Sequence, residues 1–508
     1  MSYRDYAPSA PRLFGYDPER DLPKDHLARL VERVVEESVK PGLLPVRRGQ
    51  PRFDPRLCAK VLLYGYATGT RSSRQLERLC TENLAYLYLT RGDAPSYRTL
   101  CSFRVQHAGI IEQVWVAIFA VAREAGIARL GRITVDSTKL RADAGPESVV
   151  RRDEYDRVLT ELKAILTEAE AADNRDESDP PGTSRLGKVV DGEQMRDILR
   201  RVRGSRKAAG TEDEDADHTE ERKAASPFML PRIHLAVAAI EAAQEEGLKH
   251  ACLTDPDARM MAEGREKAIR ECHSFEVAVA GGLVVAGQAT QTGQDAPRLR
   301  DLVEAARKSV PEGIVSVDAD SGYYSGEVVA ALIKEGVDVC IPDSSTACDL
   351  HRAQPVGTTR QKTTGSVEFV YDREQDVWTC PQSNTLAFRR EIRDCGQRVR
   401  IYRARQNCGG CPLNGECGNT AGDKRREIKV GVDHEILRAH TARFQDPDHV
   451  HRYHQRGHAV ETKFGVLRSV LRYVRWMVRG RERVAAEARL ITSALQLRTV
   501  HCRWAAAQ

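Results

Sequence analysis

The sequence predicts an α/β protein: a mixed sheet covered by helices, preceded by a mostly helical segment. Three observations carry this reading. Between Phe275 and Pro342 short β-prone runs alternate with amphipathic helical ones. Residues 1–125 and 445–508 instead keep helical spacing. The chain is 508 residues and 56.6 kDa, more than one core organises, so several domains are expected.

Composition narrows the class. At 41% hydrophobic and 30% charged, the chain can bury cores and still carry a solvated surface. Its longest apolar run, Val114 to Ala122, is nine residues, about half of what a membrane span needs. No basic start followed by an apolar stretch opens the sequence, so an intracellular protein is expected. The net charge of +5 is mild, and attraction to nucleic acid must come from local clustering. Thirteen cysteines, an odd number, point to free thiols or a metal site rather than a disulfide framework.

Taken in order, Leu27, Leu30, Val31, Val34 and Val35 recur at helical spacing, and Val114–Ala122 reads as a buried helix. Between them, Ser72–Cys80 and Ser96–His107 form a helix pair joined by the loop Thr90–Pro95, with Ser96 as N-cap of the second. That second helix carries Arg98, Arg104 and Gln106. Such a pair suits either a DNA groove or a dimerisation scaffold. Arg132–Asp136 is a short strand ending in an acid. Residues 146–230 read as an insertion, with a helical stripe from Tyr155 to Leu166, a linker over Asp173–Gly187 and a solvated acidic run over Glu212–Glu221.

A helix from Arg232 to about Gly247 returns the chain to regular structure. Phe275–Ala280 and Leu283–Gln288 are strands meeting at Gly281-Gly282, a hairpin signal. Asp295–Lys308 is an amphipathic helix, Ile314–Val317 a strand, Gly326–Gly336 a helix and Val337–Ile341 a further strand. Residues 343–440 alternate short strands with turns and cysteines. The segment from His451 to Arg483 is helical and basic, with nine Lys or Arg against Glu461 and Glu482.

Three acids stand where a polar residue needs a reason. Asp136 ends one apolar strand, Asp320 follows another, and Glu461 sits in the basic C-terminal helix. Strand ends on one sheet edge converge, and a helix laid across that edge adds a third carboxylate. Converging carboxylates repel unless cations lie between them, and hard oxygen donors suit Mg²⁺ or Mn²⁺. A pair of such ions serves phosphodiester cleavage.

The contexts of these acids resemble a bacterial insertion-sequence DDE transposase of the subgroup with a Tyr-Arg-Glu-Lys signature. The first acid matches in Val135-Asp136-Ser137-Thr138-Lys139, and the second in Asp318-Ala319-Asp320-Ser321-Gly322-Tyr323, where the spacing to glycine selects Asp320 over Asp318. The third matches from Tyr453 through Arg456 and Glu461 to Arg468. Two residues separate Tyr453 from Arg456 and six separate Glu461 from Arg468, as the signature asks. Four residues rather than three lie between Arg456 and Glu461, and arginine replaces the final lysine. Gly69-Thr70-Arg71-Ser72-Ser73-Arg74-Gln75-Leu76 and Thr254-Asp255-Pro256-Asp257-Ala258-Arg259 are further blocks similar to that family, the second read as a turn shaping the DNA groove.

This resemblance implies an RNase H-like catalytic core, with Asp136, Asp320 and Glu461 holding two Mg²⁺ or Mn²⁺ ions. Tyr453, Arg456, Lys463, Arg468, Arg472 and Arg475 are the expected DNA contacts, with Phe464 and Leu467 seating the helix. It implies a cytoplasmic, nucleoid-associated enzyme that cuts element ends and joins the 3′-OH to target DNA, working as a dimer or larger synaptic assembly. A DNA-binding regulator without catalysis and a nuclease without strand transfer are the alternatives.

Cys408-Gly-Gly-Cys411, followed by Cys417 and preceded by Cys380, has the make-up of a four-thiolate Zn²⁺ site, with Cys395 as another possible fourth ligand. The resembled family has a similar cluster here, and zinc would stabilise a segment too poor in apolar residues to fold alone. Cys58, Cys80, Cys101 and Cys252 read as core. The expected organisation is a helical DNA-binding or dimerisation domain over 1–125, the first core strand over 126–145 and a charged helical insertion over 146–230. The core continues over 231–345, a cysteine-rich zinc insertion covers 346–440, and the glutamate-bearing helices cover 441–508.

Overall fold

The computed structural model describes residues 17–39, 53–124, 126, 131–173, 193–203, 229–263, 268–293, 295–310, 313–357, 369–394, 397–413, 416–417 and 425–506. The acidic run 212–221, most of the linker after Asp173, and Cys395 lie outside them.

The N-terminal segment forms α1 (Pro18–Asp21), α2 (Leu27–Ser38), α3 (Pro55–Ala67), α4 (Ser73–Glu82), α5 (Leu84–Thr90), α6 (Tyr97–Gln106) and α7 (Ala108–Glu124). Helix α5 stands between the two helices expected to pair directly. Ser96 caps α6, accepting the Thr99 amide at 3.2 Å. Helix α3 is apolar almost all round and buried from Cys58 to Ala67, so it needs neighbours on every side. One hydrophobic cluster accordingly runs from Leu30 and Leu62 through Ile133, Val277 and Val317 of the sheet to Ile491 and Leu495 near the C-terminus. The N-terminal helices thus share the core of the sheet rather than closing a core of their own. Of the cysteines read as core, Cys58, Cys80 and Cys252 are buried and Cys101 is exposed.

The main sheet contains β1 (Arg132–Arg141), β4 (Arg259–Glu263), β5 (Ala268–Ala280), β6 (Leu283–Thr290), β7 (Ser316–Asp318) and β8 (Asp338–Cys340). Its order is β4-β5-β1-β7-β8, with β6 pairing β5 as well. Strands β1, β7 and β8 are parallel, while β5 runs antiparallel to β1. Gly281 and Gly282 both take positive φ, 56° and 81°, which the tight β5–β6 turn requires and glycine adopts without strain. Helices α11 (Leu299–Ser309) and α12 (Gly326–Lys334) follow β6 and β7 and bury Leu302, Val303, Val329 and Leu332 against the sheet.

Two insertions have cores of their own. Strands β2 (Val149–Arg151) and β3 (His250–Cys252) pair beneath α8 (Tyr155–Asp173), α9 (Glu193–Arg203) and α10 (Leu230–Glu245). Val158, Leu162, Ile198, Ile233 and Ile240 form one cluster there. Helix α10, expected as the return to the main core, belongs to this bundle because its buried stripe faces α8. The second insertion follows α13 (Ser344–His351) and is a five-stranded antiparallel sheet of β9 (Val370–Asp372), β10 (Val377–Thr379), β11 (Thr385–Asp394), β12 (Gln397–Ala404) and β13 (Glu427–Gly431). It was expected to lack a core, yet Leu386, Tyr402 and Ala404 are buried with Tyr371 and Trp378 against them.

The chain closes with α14 (His434–Ala442), α15 (Pro447–Gly465) and α16 (Arg481–Ala506). Asp446 caps α15 by accepting the Asp448 amide, and Pro447 opens the helix. A π-helical turn, Val466–Val470, then widens it, and Arg472 takes φ 57° as the chain turns toward α16. Among the described residues no single helix is long and apolar enough to cross a membrane.

Candidate active site

Strand β1 is longer than expected: it runs past Asp136 to Arg141, pairing along that length with β5. What ends near Asp136 is its other neighbour. The last β1–β7 pair is Thr134 with Asp318, and both strands then carry an aspartate two residues further on, Asp136 and Asp320. Alternation along β1 puts Asp136 and Thr138 on one face, Ser137 and Lys139 on the other. The Asp136 Oδ1 accepts the Ser137 amide at 2.7 Å. Burial pushes the Asp136 carboxyl up to about 7; the Ser137 amide pulls it down, Asp320 raises it further, and Arg456 opposes. Asp136, Asp320 and Arg456 therefore meet electrostatically at one place.

Asp320 caps the short turn Ser321–Tyr323, accepting the Gly322 amide at 2.9 Å. A methyl group at Gly322 would come within 3.0 Å of Asp320 Oδ1, so glycine keeps this carboxylate accessible. Asp318 has another task. It is fully buried and accepts from Arg132 Nε at 2.8 Å and from Arg452 Nε at 2.9 Å. Arg452 also reaches Asp338 and Ser316, so Asp318 anchors α15 to β7 and β8. Sequence reading weighed Asp318 only as a rival to Asp320 and missed this clamp.

Helix α15 crosses the Asp136 face of the sheet. Tyr453 is buried beside Asp320, and Arg456 stacks over its ring at 4.0 Å and donates to its carbonyl. Val460 and Leu467 are fully buried, with Phe464 packed against the same cluster. Arg468 donates to Thr138 Oγ1 at 2.6 Å and to the Lys139 carbonyl at 3.1 Å, fixing the far end of the helix to β1. Glu461 is exposed on α15, between these two anchors. Among the described residues, no three His, Cys, Asp or Glu side chains form a ready-made ion site.

The basic residues divide. Arg472 is exposed. Arg475 and Arg479 both pair with the buried Asp143. Lys463, expected as a DNA contact, has a buried side chain that donates to Thr499 Oγ1 of α16 at 2.8 Å. Burial lowers its ammonium to about 8. Arg104, on the helix read as either groove-inserting or part of a dimerisation scaffold, is likewise buried and holds the Arg71 carbonyl and Ser73. The Thr254–Arg259 block, expected as a turn shaping the DNA groove, braces the start of α16. Asp255 accepts the Gly480 amide and contacts His273 at 3.0 Å, while Asp257 accepts the Arg481 amide at the start of α16.

Cys380, Cys408, Cys411 and Cys417 line one cavity of about 340 Å³ with Asn384 and Arg426. Cys408 Sγ accepts the Arg426 amide at 3.5 Å and Asn384 Nδ2 at 3.6 Å. Burial, followed by the pull of Arg426 in the other direction, leaves the Cys417 thiol raised.

Two aspartates thus stand at the edge of a mixed sheet, with a basic helix laid over them. Residues 16–106 match the Transposase domain (DUF772), and residues 379–501 match the Transposase DDE domain. No curated protein matches the chain. The two matches, one near each end, support an insertion-sequence DDE transposase.

Proposed function

We propose that this DNA transposase cuts the ends of its own element and joins the freed 3′-OH to target DNA at a site built on Asp136, Asp320 and Glu461. The observation that carries the reading is the register of β1 and β7, which sets Asp136 beside Asp320 under the helix bearing Glu461. The sheet order, a hairpin beside β1 followed by parallel β7 and β8, supports an RNase H-like core.

The donor set fits hard divalent cations. The Asp136 carboxyl, pushed up to about 7 chiefly by burial, is favoured in its charged form when a cation lies beside it. Mg²⁺ or Mn²⁺ held by Asp136, Asp320 and Glu461 would supply activation of the attacking oxygen and stabilisation of the leaving one. The chain's own residues do the rest. Ser137 orients Asp136 through its amide, and Gly322 keeps Asp320 open. Arg456 and Arg472 offer positive charge to the phosphate backbone, while Arg468 holds β1 and Arg475 pairs with the buried Asp143 beside it.

The four cysteines fit a structural Zn²⁺, since they surround one cavity and Cys408 already receives two N–H donors of the kind that stabilise thiolate ligands. Zinc would tie Cys380, just after β10, to Cys408, Cys411 and Cys417. A dimer or larger assembly remains part of the proposal.

The test uses duplexes carrying the DNA that flanks the reading frame. Asp136→Asn, Asp320→Asn and Glu461→Gln each abolish cleavage in Mg²⁺ while binding to that DNA persists. Wild-type cleavage by any of the three rejects the site. Joining of pre-cut ends separates a transposase from a plain nuclease, and binding without cutting in Mg²⁺ marks a silent regulator.

A further inference from the structure

We propose that Asp295 is a positioning residue for Asp136, acting through Ser137 from the opposite face of β1. This rests on the carboxylate site proposed above. Asp295 precedes a short 3₁₀ turn, Ala296–Arg298, at the position where an aspartate normally caps. Its side chain makes no capping bond there. It turns instead to the sheet edge, where Oδ1 accepts Ser137 Oγ at 3.1 Å and Lys139 Nζ at 3.2 Å.

Lys139 spends its remaining donors on Ser137 Oγ at 3.1 Å and Ser274 Oγ at 2.8 Å. The ammonium and the carboxylate are both mostly buried, with about a fifth of each side chain exposed. The Ser137 hydroxyl is therefore held from two sides, donating to Asp295 and accepting from Lys139. Its own amide, on the same residue, donates to Asp136 Oδ1. Holding the Ser137 side chain on one face thus fixes the amide that sets the Asp136 carboxylate on the other.

Asp295 is also close to the second acid. A methyl group at Gly322 would lie 3.5 Å from Asp295 Oδ2 and 3.0 Å from Asp320 Oδ1, so the two carboxylates face each other across that glycine. One side chain is in this way bonded to the residue beside Asp136 and adjacent to Asp320. No other described acid has both relations in the contacts above. Sequence reading took Asp295 as the first residue of an amphipathic helix, the usual meaning of an aspartate there.

The experiment compares full-length wild type, Asp295→Asn, Ser137→Ala, the double variant and Asp295→Glu. Each is assayed for single-turnover cleavage of the flanking-DNA duplex in Mg²⁺, half-saturating DNA concentration and thermal midpoint. Asp295→Asn and Ser137→Ala are each expected to slow cleavage by about 10- to 100-fold, the cost of a small misplacement, with DNA half-saturation unchanged within about twofold. The double variant should be no slower than the worse single one, because both break the same chain of contacts. Asp295→Glu should recover part of the rate.

Wild-type rates in the single variants, or losses that multiply in the double, overturn the proposal. Ser137→Ala removes one oxygen, so it decides the matter even if Asp295→Asn does not fold. Asp136→Asn is the control. If it cuts normally, the carboxylate site itself falls and takes this inference with it; if it is inactive while Ser137→Ala and Asp295→Asn are normal, only the role of Asp295 falls.

Discussion

Replacing Asp318 by asparagine tests how helix α15 is held. Asp318 is fully buried and faces two guanidiniums, Arg132 and Arg452. The Arg452 side chain is 15% exposed and the Arg132 side chain 48%. Breaking one side of a buried ion pair costs about 3–5 kcal/mol because the remaining charge stays desolvated. Here Arg452 keeps Asp338 and Ser316, and Arg132 can turn to water, which lowers the expected cost to about 2–3 kcal/mol. Arg452→Met should cost a similar amount. In the double variant no buried charge is stranded, because Arg132 can reach water, so its cost should fall below the sum of the singles by about 1–2 kcal/mol. Urea unfolding of the four proteins measures this. Asp320→Asn keeps an oxygen for the Gly322 amide and should cost under about 1 kcal/mol. Cleavage by Asp318→Asn should still fall, because α15 loses its anchor at the end nearer β7. Stability within about 0.5 kcal/mol of wild type, or strict additivity with Arg452→Met, refutes the clamp.

Two more expectations concern parts of the molecule remote from the sheet edge. Purified protein should carry about one zinc per chain by elemental analysis, lost in Cys411→Ser and Cys417→Ser but kept in Asp136→Asn; metal-free protein as stable as the wild type denies the thiolate site. His449 is buried against Phe444, and desolvation, then Arg443 and Arg452, lower its imidazole to about 4. The folded form is neutral, so the unfolded chain alone takes up a proton as pH drops below about 6.5. This contribution to stability is complete above that pH and is lost toward 4, amounting to about 2 kcal/mol at pH 5. His449→Gln should lose correspondingly less stability than wild type between pH 7.5 and 5, and equal losses would contradict the assignment.

Much of this protein is written locally. Hydrophobic spacing identified α2, α8 and α11, and the Gly281-Gly282 dipeptide marked the β5–β6 turn, because period and turn chemistry act over a few residues. The motifs around Asp136, Asp320 and Glu461 were legible for the same reason. Burial was not. Arg104 and Lys463 look like exposed Arg472 in the sequence, yet the fold buries both against partners distant along the chain.

The sequence by itself determined the class of chemistry, since residue types and their spacing carry the acids, the basic helix and the cysteine cluster. Motif spacing preferred Asp320 to Asp318, but only the tertiary structure showed what Asp318 holds. Asp318 and Asp320 differ by two positions, but one meets two guanidiniums in the interior and the other opens a turn at the edge. Asp295 reads as the first residue of an amphipathic helix until β1 passes beside it. Side-chain roles of this kind are set by neighbours distant along the chain, and those neighbours exist only once the sheet has formed.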